Sequence, residues 1–161
     1  MLAQEYRLHK LKENDRIPFE LLLLADETED AINKYIYHSD IYTVYILESL
    51  IPIGVFALYR ISNLVIEIKN IGVSEKFRSK GVGSGLIKKI KEIAAEENYE
   101  EIIVGTPDSG VRQIRFYEKN GFRRYGVKKN FFIENYPEPI SEDGIILKDM
   151  IMLKAKTGAC F

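Results

Sequence analysis

The chain of 161 residues has one cysteine, Cys160, and two histidines, His9 and His38. A lone cysteine excludes an intrachain disulfide, which fits a reducing compartment. Cys160 also lies far from any motif, which makes it a poor candidate nucleophile. The histidines stand apart from any cluster of ligand-type residues. Both read as structural or surface residues, and no metal site is expected. The apolar run from Leu21 to Ala25 is far too short to span a bilayer. The N-terminus lacks the basic-then-apolar pattern of a secretion signal. A cytoplasmic protein without a membrane partner is therefore expected. Neither sign of charge dominates: 23 Lys and Arg stand against 24 Asp and Glu, a formal net charge of −1. A general nucleic-acid binder carries a strong basic excess, so nucleic acid is not expected as a partner. There is no internal repeat, low-complexity tract or linker. What remains is an ordinary globular composition, 46% hydrophobic and 29% charged, at a length suited to one domain over residues 1–161.

Periodicity divides the chain into elements. Glu5 to Lys12 reads as a first strand. Pro18 suits the first turn of a short helix ending near Ala25. Asp26 to Thr28 supply caps for a second helix reaching about Tyr37. Tyr42–Leu47, Ile53–Arg60 and Leu64–Val73 read as a three-stranded meander. From Ser84 the period changes. Leu86, Ile87, Ile90, Ile93 and Ala94 share one helical face, opposite Lys88, Lys89, Lys91, Glu92 and Glu96. A buried strand follows at Glu101–Val104, then a polar loop, Gly105 to Gly110. Next comes a helix lined by Val111, Ile114 and Tyr117 that stops at Asn120-Gly121. Phe122–Lys128 and Ile145–Lys154 read as the last strands, with an aromatic, proline-containing segment at Asn130–Gly144 between them. The pattern is that of an α+β domain.

The most informative stretch is Val73 to Leu86. A strand feeds a basic, glycine-rich turn from Arg78 to Gly85, and the turn opens directly into a helix. Free main-chain N–H groups at such a junction form a cradle for phosphate. Gly81, Gly83 and Gly85 lack Cβ, so their backbone can adopt unusual φ/ψ values and press close to a ligand. The P-loop string of Gly, four residues and Gly-Lys-Ser/Thr is absent. The dinucleotide fingerprint fails because Leu86 stands where its third glycine belongs, and no clear acidic residue closes a following strand.

A third template, Arg/Gln-x-x-Gly-x-Gly/Ala, is matched at every fixed position by Arg78-Ser79-Lys80-Gly81-Val82-Gly83. This segment resembles the pyrophosphate-binding loop of the GNAT superfamily of N-acetyltransferases, which bind acyl-coenzyme A. The resemblance extends upstream through Glu67-Ile68-Lys69-Asn70-Ile71-Gly72-Val73 and downstream through Phe116-Tyr117-Glu118-Lys119-Asn120-Gly121-Phe122. It is continuous over about residues 64–125, and the N-terminal part fits only as a pattern of elements. It implies a mixed, mostly antiparallel sheet of about seven strands flanked by helices, with strands 4 and 5 splayed at one end.

It also implies acetyl-CoA as co-substrate, a small-molecule or peptide amine as acceptor, and a homodimer as one arrangement. The coenzyme would lie against Ile71, Gly72 and Val73, against Arg78, Ser79, Lys80, Gly81, Val82, Gly83, Ser84 and Gly85, and against Asp108, Ser109, Tyr117 and Lys119. The Ile71 main-chain N–H would polarise the thioester carbonyl. Glu67 would serve as base, its plain alternative being a strand-surface glutamate paired with Lys69. Tyr117 would protonate the departing thiolate, its alternative being a core tyrosine. One position departs from the family. Many members carry Asn seven residues before the tyrosine, where this chain has Gly110. Asp108 or Ser109 could substitute there, or the contact is absent. Acceptor choice would fall to Pro18–Asp40 and Asn130–Gly144. The second segment mixes Phe131, Phe132 and Tyr136 with Glu134, Glu138, Glu142 and Asp143, as would suit a cationic amine. A GNAT-like module that binds coenzyme A without transferring an acyl group is the rival reading.

Overall fold

A computed structural model describes residues 5–158; Cys160 lies outside them. Seven strands form one mixed sheet in the order β1-β2-β3-β4-β5-β9-β6. These are β1 (Tyr6–Lys10), β2 (Ser39–Ile46), β3 (Gly54–Arg60), β4 (Val65–Val73), β5 (Glu101–Pro107), β6 (Arg123–Lys128) and β9 (Met150–Lys156). β7 (Ser141–Glu142) and β8 (Ile145–Ile146) make a separate two-stranded ribbon. The helices are α1 (Phe19–Leu22), α2 (Glu29–Asn33), α3 (Val82–Glu96), α4 (Val111–Lys119) and α5 (Phe131–Asn135). The expected sheet of about seven strands flanked by helices is present. No helix among the described residues is long and apolar enough to cross a membrane. By contact density the chain divides into two compact units, Met1–Arg60 with Ile68–Lys89, and Ile61–Glu67 with Ile90–Phe161.

In the first unit β1 pairs antiparallel with β2, Tyr6 opposite Ile46, and β2 pairs antiparallel with β3, Ser39 opposite Tyr59. Leu21, Leu22, Ile32, Tyr35, Ile36, Ile41, Val55 and Ala57 form the core beneath α1 and α2. Thr28 is the cap of α2: its hydroxyl accepts from the Ala31 N–H at 3.1 Å. The two N-terminal helices are shorter than their periodicity suggests. Pro18 stands just ahead of α1 rather than inside it. α2 stops at Asn33, and the chain resumes as a single 3-10 turn at Ile36–His38. Tyr35 and Ile36 are both buried, in the same core as Leu22 and Ile32.

α3 buries Val82, Leu86, Ile87, Ile90 and Ala94, the expected face; Ile93 is half-buried. It ends where Asn98 takes a left-handed conformation (φ +67°) and the Tyr99 N–H reaches back to the Ala94 carbonyl.

In the second unit the Leu64 carbonyl, at the start of β4, accepts from Glu100 and Glu101 at the start of β5. Those strand ends therefore run the same way. β9 pairs antiparallel with both β5 and β6, with a bulge in β6 between Arg124 and Gly126. β5 extends through Pro107, so half of the expected polar loop is strand. α4 stops as its sequence predicts. Gly121 has φ +91°, and Phe122 donates to the Tyr117 carbonyl. The run from Ile145 to Lys154 is not one strand. Asp143 (φ +50°) and Gly144 (φ +79°) turn Ser141-Glu142 back on Ile145-Ile146 as a short hairpin, and β9 begins only at Met150. Asp-Gly is a strong hairpin signal that the reading by apolar runs passed over.

Candidate active site

In the first compact unit the candidate residues act through the main chain. The Ser74 N–H donates to the Ile53 carbonyl at 2.8 Å, so residue 74 turns its main-chain groups toward β3. Those groups alternate sides along a strand, so Ile71 and Val73 present theirs at the other edge of β4. There Arg78 Nε donates to the Val73 carbonyl at 3.0 Å. Arg78 thus braces the loop, which sequence reasoning had not anticipated.

The loop itself makes one 3-10 turn at Glu75–Phe77 and then two left-handed residues, Ser79 (φ +61°) and Gly81 (φ +80°). Space around Gly81 is open: an added Cβ would meet nothing within 4 Å. Gly81 therefore supplies conformation, and its lack of bulk admits close approach. Gly85 has a different reason. Its N–H closes the first helical turn on the Gly81 carbonyl, and an added Cβ would lie 2.9 Å from the Tyr6 ring. It makes room for a packed aromatic of β1, where the sequence suggested a ligand.

The first turn of α3 contains no acidic residue, so nothing opposes the positive field of its N–H groups. Arg78, Ser79 and Lys80 are exposed beside it, the Lys80 ammonium 5.9 Å from the Phe77 ring centre. Gly72 is required for packing. A Cβ there would fall 2.7 Å from the Leu21 carbonyl oxygen of α1.

In the second compact unit the candidate residues act through side chains. Tyr117 is 7% exposed and sits edge-on to Phe116 and Phe122, ring centres 5.1 and 5.4 Å away. Burial pushes its phenol well above the ordinary tyrosine range, so it stays protonated at neutral and mildly alkaline pH. Glu67 is 4% exposed, an uncommon depth for a carboxylate. Its charge acts on the Tyr125 phenol, which is raised first by burial and then by Glu67 and Glu101. Lys154 pairs with Glu101 at 3.6 Å and lies 5.2 Å from the Tyr125 ring centre. Neither Tyr125 nor Lys154 was anticipated. The bulge at Tyr125 breaks the alternation from which its direction would have been read.

At the end of β5, Gly110 precedes α4 without a side-chain cap. A Cβ there would meet Gln113 Oε1 at 2.9 Å, the Pro107 carbonyl at 3.0 Å and Thr106 Oγ1 at 3.1 Å. No larger residue fits unless these polar atoms move. Thr106 is 3% exposed, and its hydroxyl has no hydrogen-bond partner among the described residues. Asp108 is exposed, with its N–H donating to the Asp149 carbonyl; Ser109 is half-buried. Lys119, in the last turn of α4, is exposed. Thr106 and Gln113 were not among the sequence candidates. The signal available was the glycine at position 110, which marks a place already filled. No group of three or more His, Cys, Asp or Glu that could hold a metal ion occurs among the described residues.

A strand edge, a left-handed loop and a helix start free of acid leave main-chain N–H groups available to an anion. The chain matches the Acetyltransferase (GNAT) family over residues 8–122. It is 33% identical over 153 residues, 95% of this chain and 97% of the relative, to the uncharacterized N-acetyltransferase YvbK of Bacillus subtilis. Among solved structures it resembles a GNAT family acetyltransferase from Elizabethkingia anophelis with acetyl-CoA bound, at TM-score 0.89 and 37% identity over 96% of this chain and 99% of that one. It also resembles a Bacillus subtilis acetyltransferase in complex with CoA, at TM-score 0.83 and 32% identity over 94% and 99%. The chain belongs to the GNAT acetyltransferase family.

Proposed function

We propose that residues 1–161 act as one acetyl-CoA-dependent N-acetyltransferase domain, passing an acetyl group to a primary amine by direct attack in a ternary complex. The observation that carries this reading is the junction at 78–85: a left-handed, sterically open Gly81 leading into an acid-free helix start. Its main-chain N–H groups from Lys80 to Ser84 would take the pyrophosphate, with Arg78 and Lys80 adding positive field.

The co-substrate supplies an activated acyl group as a thioester. Ile71 presents its N–H at the strand edge and would stabilise the developing oxyanion. The amine nitrogen forms a bond to the acyl carbon as the carbon–sulfur bond breaks. The departing sulfur takes its proton from the Tyr117 hydroxyl, and the amine gives up its proton to Glu67 or to a water that Glu67 holds. Burial keeps the phenol protonated at neutral pH, so it has a proton to give, while the same shift makes it a weaker acid than a free tyrosine. Thr106 and Gln113 stand where the family asparagine would, and take over its contact with the pantetheine arm in this reading. The segment 131–147 carries Glu134, Glu138, Glu142 and Asp143 and no Lys or Arg, which supports a cationic acceptor.

Titration calorimetry with acetyl-CoA, followed by thiol release across a panel of polyamines, amino-sugar antibiotics and peptides, tests the proposal. Binding with amine-dependent release is the expected result. Binding without release for any amine would favour the non-catalytic module. No binding would overturn both readings.

A further inference from the structure

Asn70 is a polar residue on β4, 3% exposed. Its Nδ2 donates to the Leu22 carbonyl of α1 at 2.8 Å and to the Tyr35 hydroxyl at 3.1 Å. The amide orientation is not arbitrary, because a carbonyl can only accept. The Tyr35 hydroxyl in turn donates to Asp26 Oδ2 at 3.1 Å. Asp26 lies in the turn after α1, so one chain of hydrogen bonds ties α1, that turn, the end of α2 and β4 together.

The arrangement leaves Asn70 Oδ1 without a partner among the described residues. A buried, unmade acceptor lowers stability. Stability alone therefore does not explain an asparagine here, and its geometry offers a second reason. The Leu22 carbonyl is fastened to residue 70. The neighbouring Leu21 carbonyl presses on Gly72, 2.7 Å from where a Cβ would be. Two successive carbonyls of α1 thus bracket Ile71. The peptide between Asn70 and Ile71 is the one that carries the Ile71 N–H.

We propose that Asn70 is a positioning residue for the Ile71 main-chain N–H: clamped to α1 through Leu22 and Tyr35, it fixes the tilt of the 70–71 peptide and so aims that N–H at the thioester carbonyl. The inference rests on the acetyl-transfer reading and on the role given there to Ile71. It makes α1 and the turn at Asp26 part of the catalytic geometry without their touching the reacting atoms.

The test uses the full chain and acetyl-CoA labelled with 13C at the thioester carbonyl. Isotope-edited infrared spectroscopy reads polarisation of that carbonyl directly, with no acceptor needed. In the wild type the carbonyl band shifts to lower frequency on binding. In Asn70→Ala the shift is largely lost, and turnover falls roughly 10- to 100-fold, while the acetyl-CoA dissociation constant stays within about threefold. Should Asn70→Ala fail to fold, Tyr35→Phe keeps the bond to Leu22 and removes the hydroxyl. It should lower turnover roughly 3- to 10-fold with a partial loss of the band shift and unchanged coenzyme affinity. A full band shift with wild-type turnover in the variant that folds would overturn the proposal. So would a loss of coenzyme affinity in step with turnover, the mark of a merely structural residue. An absent band shift in a wild type that binds acetyl-CoA would overturn the Ile71 role first. Absent binding would overturn the acetyl-transfer reading itself.

Discussion

The candidate residues fall into two groups made of different materials, one in each compact unit. The 71–85 group is main chain: N–H groups, carbonyls and glycines, with Arg78 bracing the turn through the Val73 carbonyl. The second group is side chain: the buried Tyr117 phenol, Thr106 hydroxyl and Glu67 carboxylate, and the amide of the exposed Gln113 beside Gly110. A main-chain site tolerates most side-chain changes and fails when a glycine gains a Cβ. A side-chain site fails when one atom is removed, while the fold persists. The contrast orders the expected effects of mutation.

The largest should come from Tyr117→Phe, which deletes one oxygen from a buried ring. Turnover should fall by about 10²–10⁴-fold, with acetyl-CoA affinity little changed, in steady-state thiol-release assays and calorimetry. Unchanged turnover would remove Tyr117 from the chemistry. Gly72→Ala comes next. The new Cβ meets the Leu21 carbonyl oxygen, a backbone atom that cannot swing aside. A loss of about 1–3 kcal/mol is expected in urea unfolding, accompanied by reduced turnover.

Gly81→Ala meets no neighbour, yet must hold φ near +80°. It should lower stability by about 1–2 kcal/mol and weaken acetyl-CoA binding. A variant that loses stability alone would show the loop to be a structural turn. Thr106→Val preserves shape and removes the unpartnered hydroxyl. Stability should hold within about 1 kcal/mol, while acetyl-CoA affinity falls a few-fold if the hydroxyl meets the pantetheine arm. Unaltered affinity would place that contact elsewhere.

The smallest effect is in pH. Burial raises the folded-state pKa of Tyr117 above its unfolded value of about 10, so folding favours the protonated phenol. Its contribution is therefore complete below about pH 10 and is lost as the pH rises from there through the folded-state pKa. Tyr117→Phe should make the alkaline loss of stability shallower, as measured by thermal melts between pH 8 and 11. Tyr35, raised in the same direction mainly by burial, would keep part of the slope.

The legibility of the two groups follows the same contrast. The turn into α3 could be read because glycine spacing and a change from strand to helix period constrain the backbone locally. Gly81 in its left-handed conformation, the start of α3 and the stop at Gly121 all follow from neighbours in sequence. Gly85 shows the limit of that reading. Its missing Cβ answers to Tyr6, some eighty positions away, and no local rule distinguishes a glycine for a ligand from a glycine for a ring. Thr106, Gln113 and Tyr125 went unread for the same reason. Their significance lies in which atoms they meet across strands and around a bulge. The segment 130–147 misled for a local reason instead. An apolar run, Ile145-Ile146-Leu147, suggested one strand where Asp143-Gly144 makes a hairpin.

The order of residues alone pointed to the family, the sheet and the glycine-rich turn into α3, because helix starts, strand periods and glycine turns are short-range consequences of backbone sterics. Tertiary structure alone decided that Tyr117 is buried deep enough to keep its proton. It also decided that Gly110 is crowded by Thr106 and Gln113, and that Asn70 hangs α1 on the strand beside Ile71. Burial and hydrogen bonding between distant positions depend on which surfaces meet, and that is a property of the folded chain as a whole.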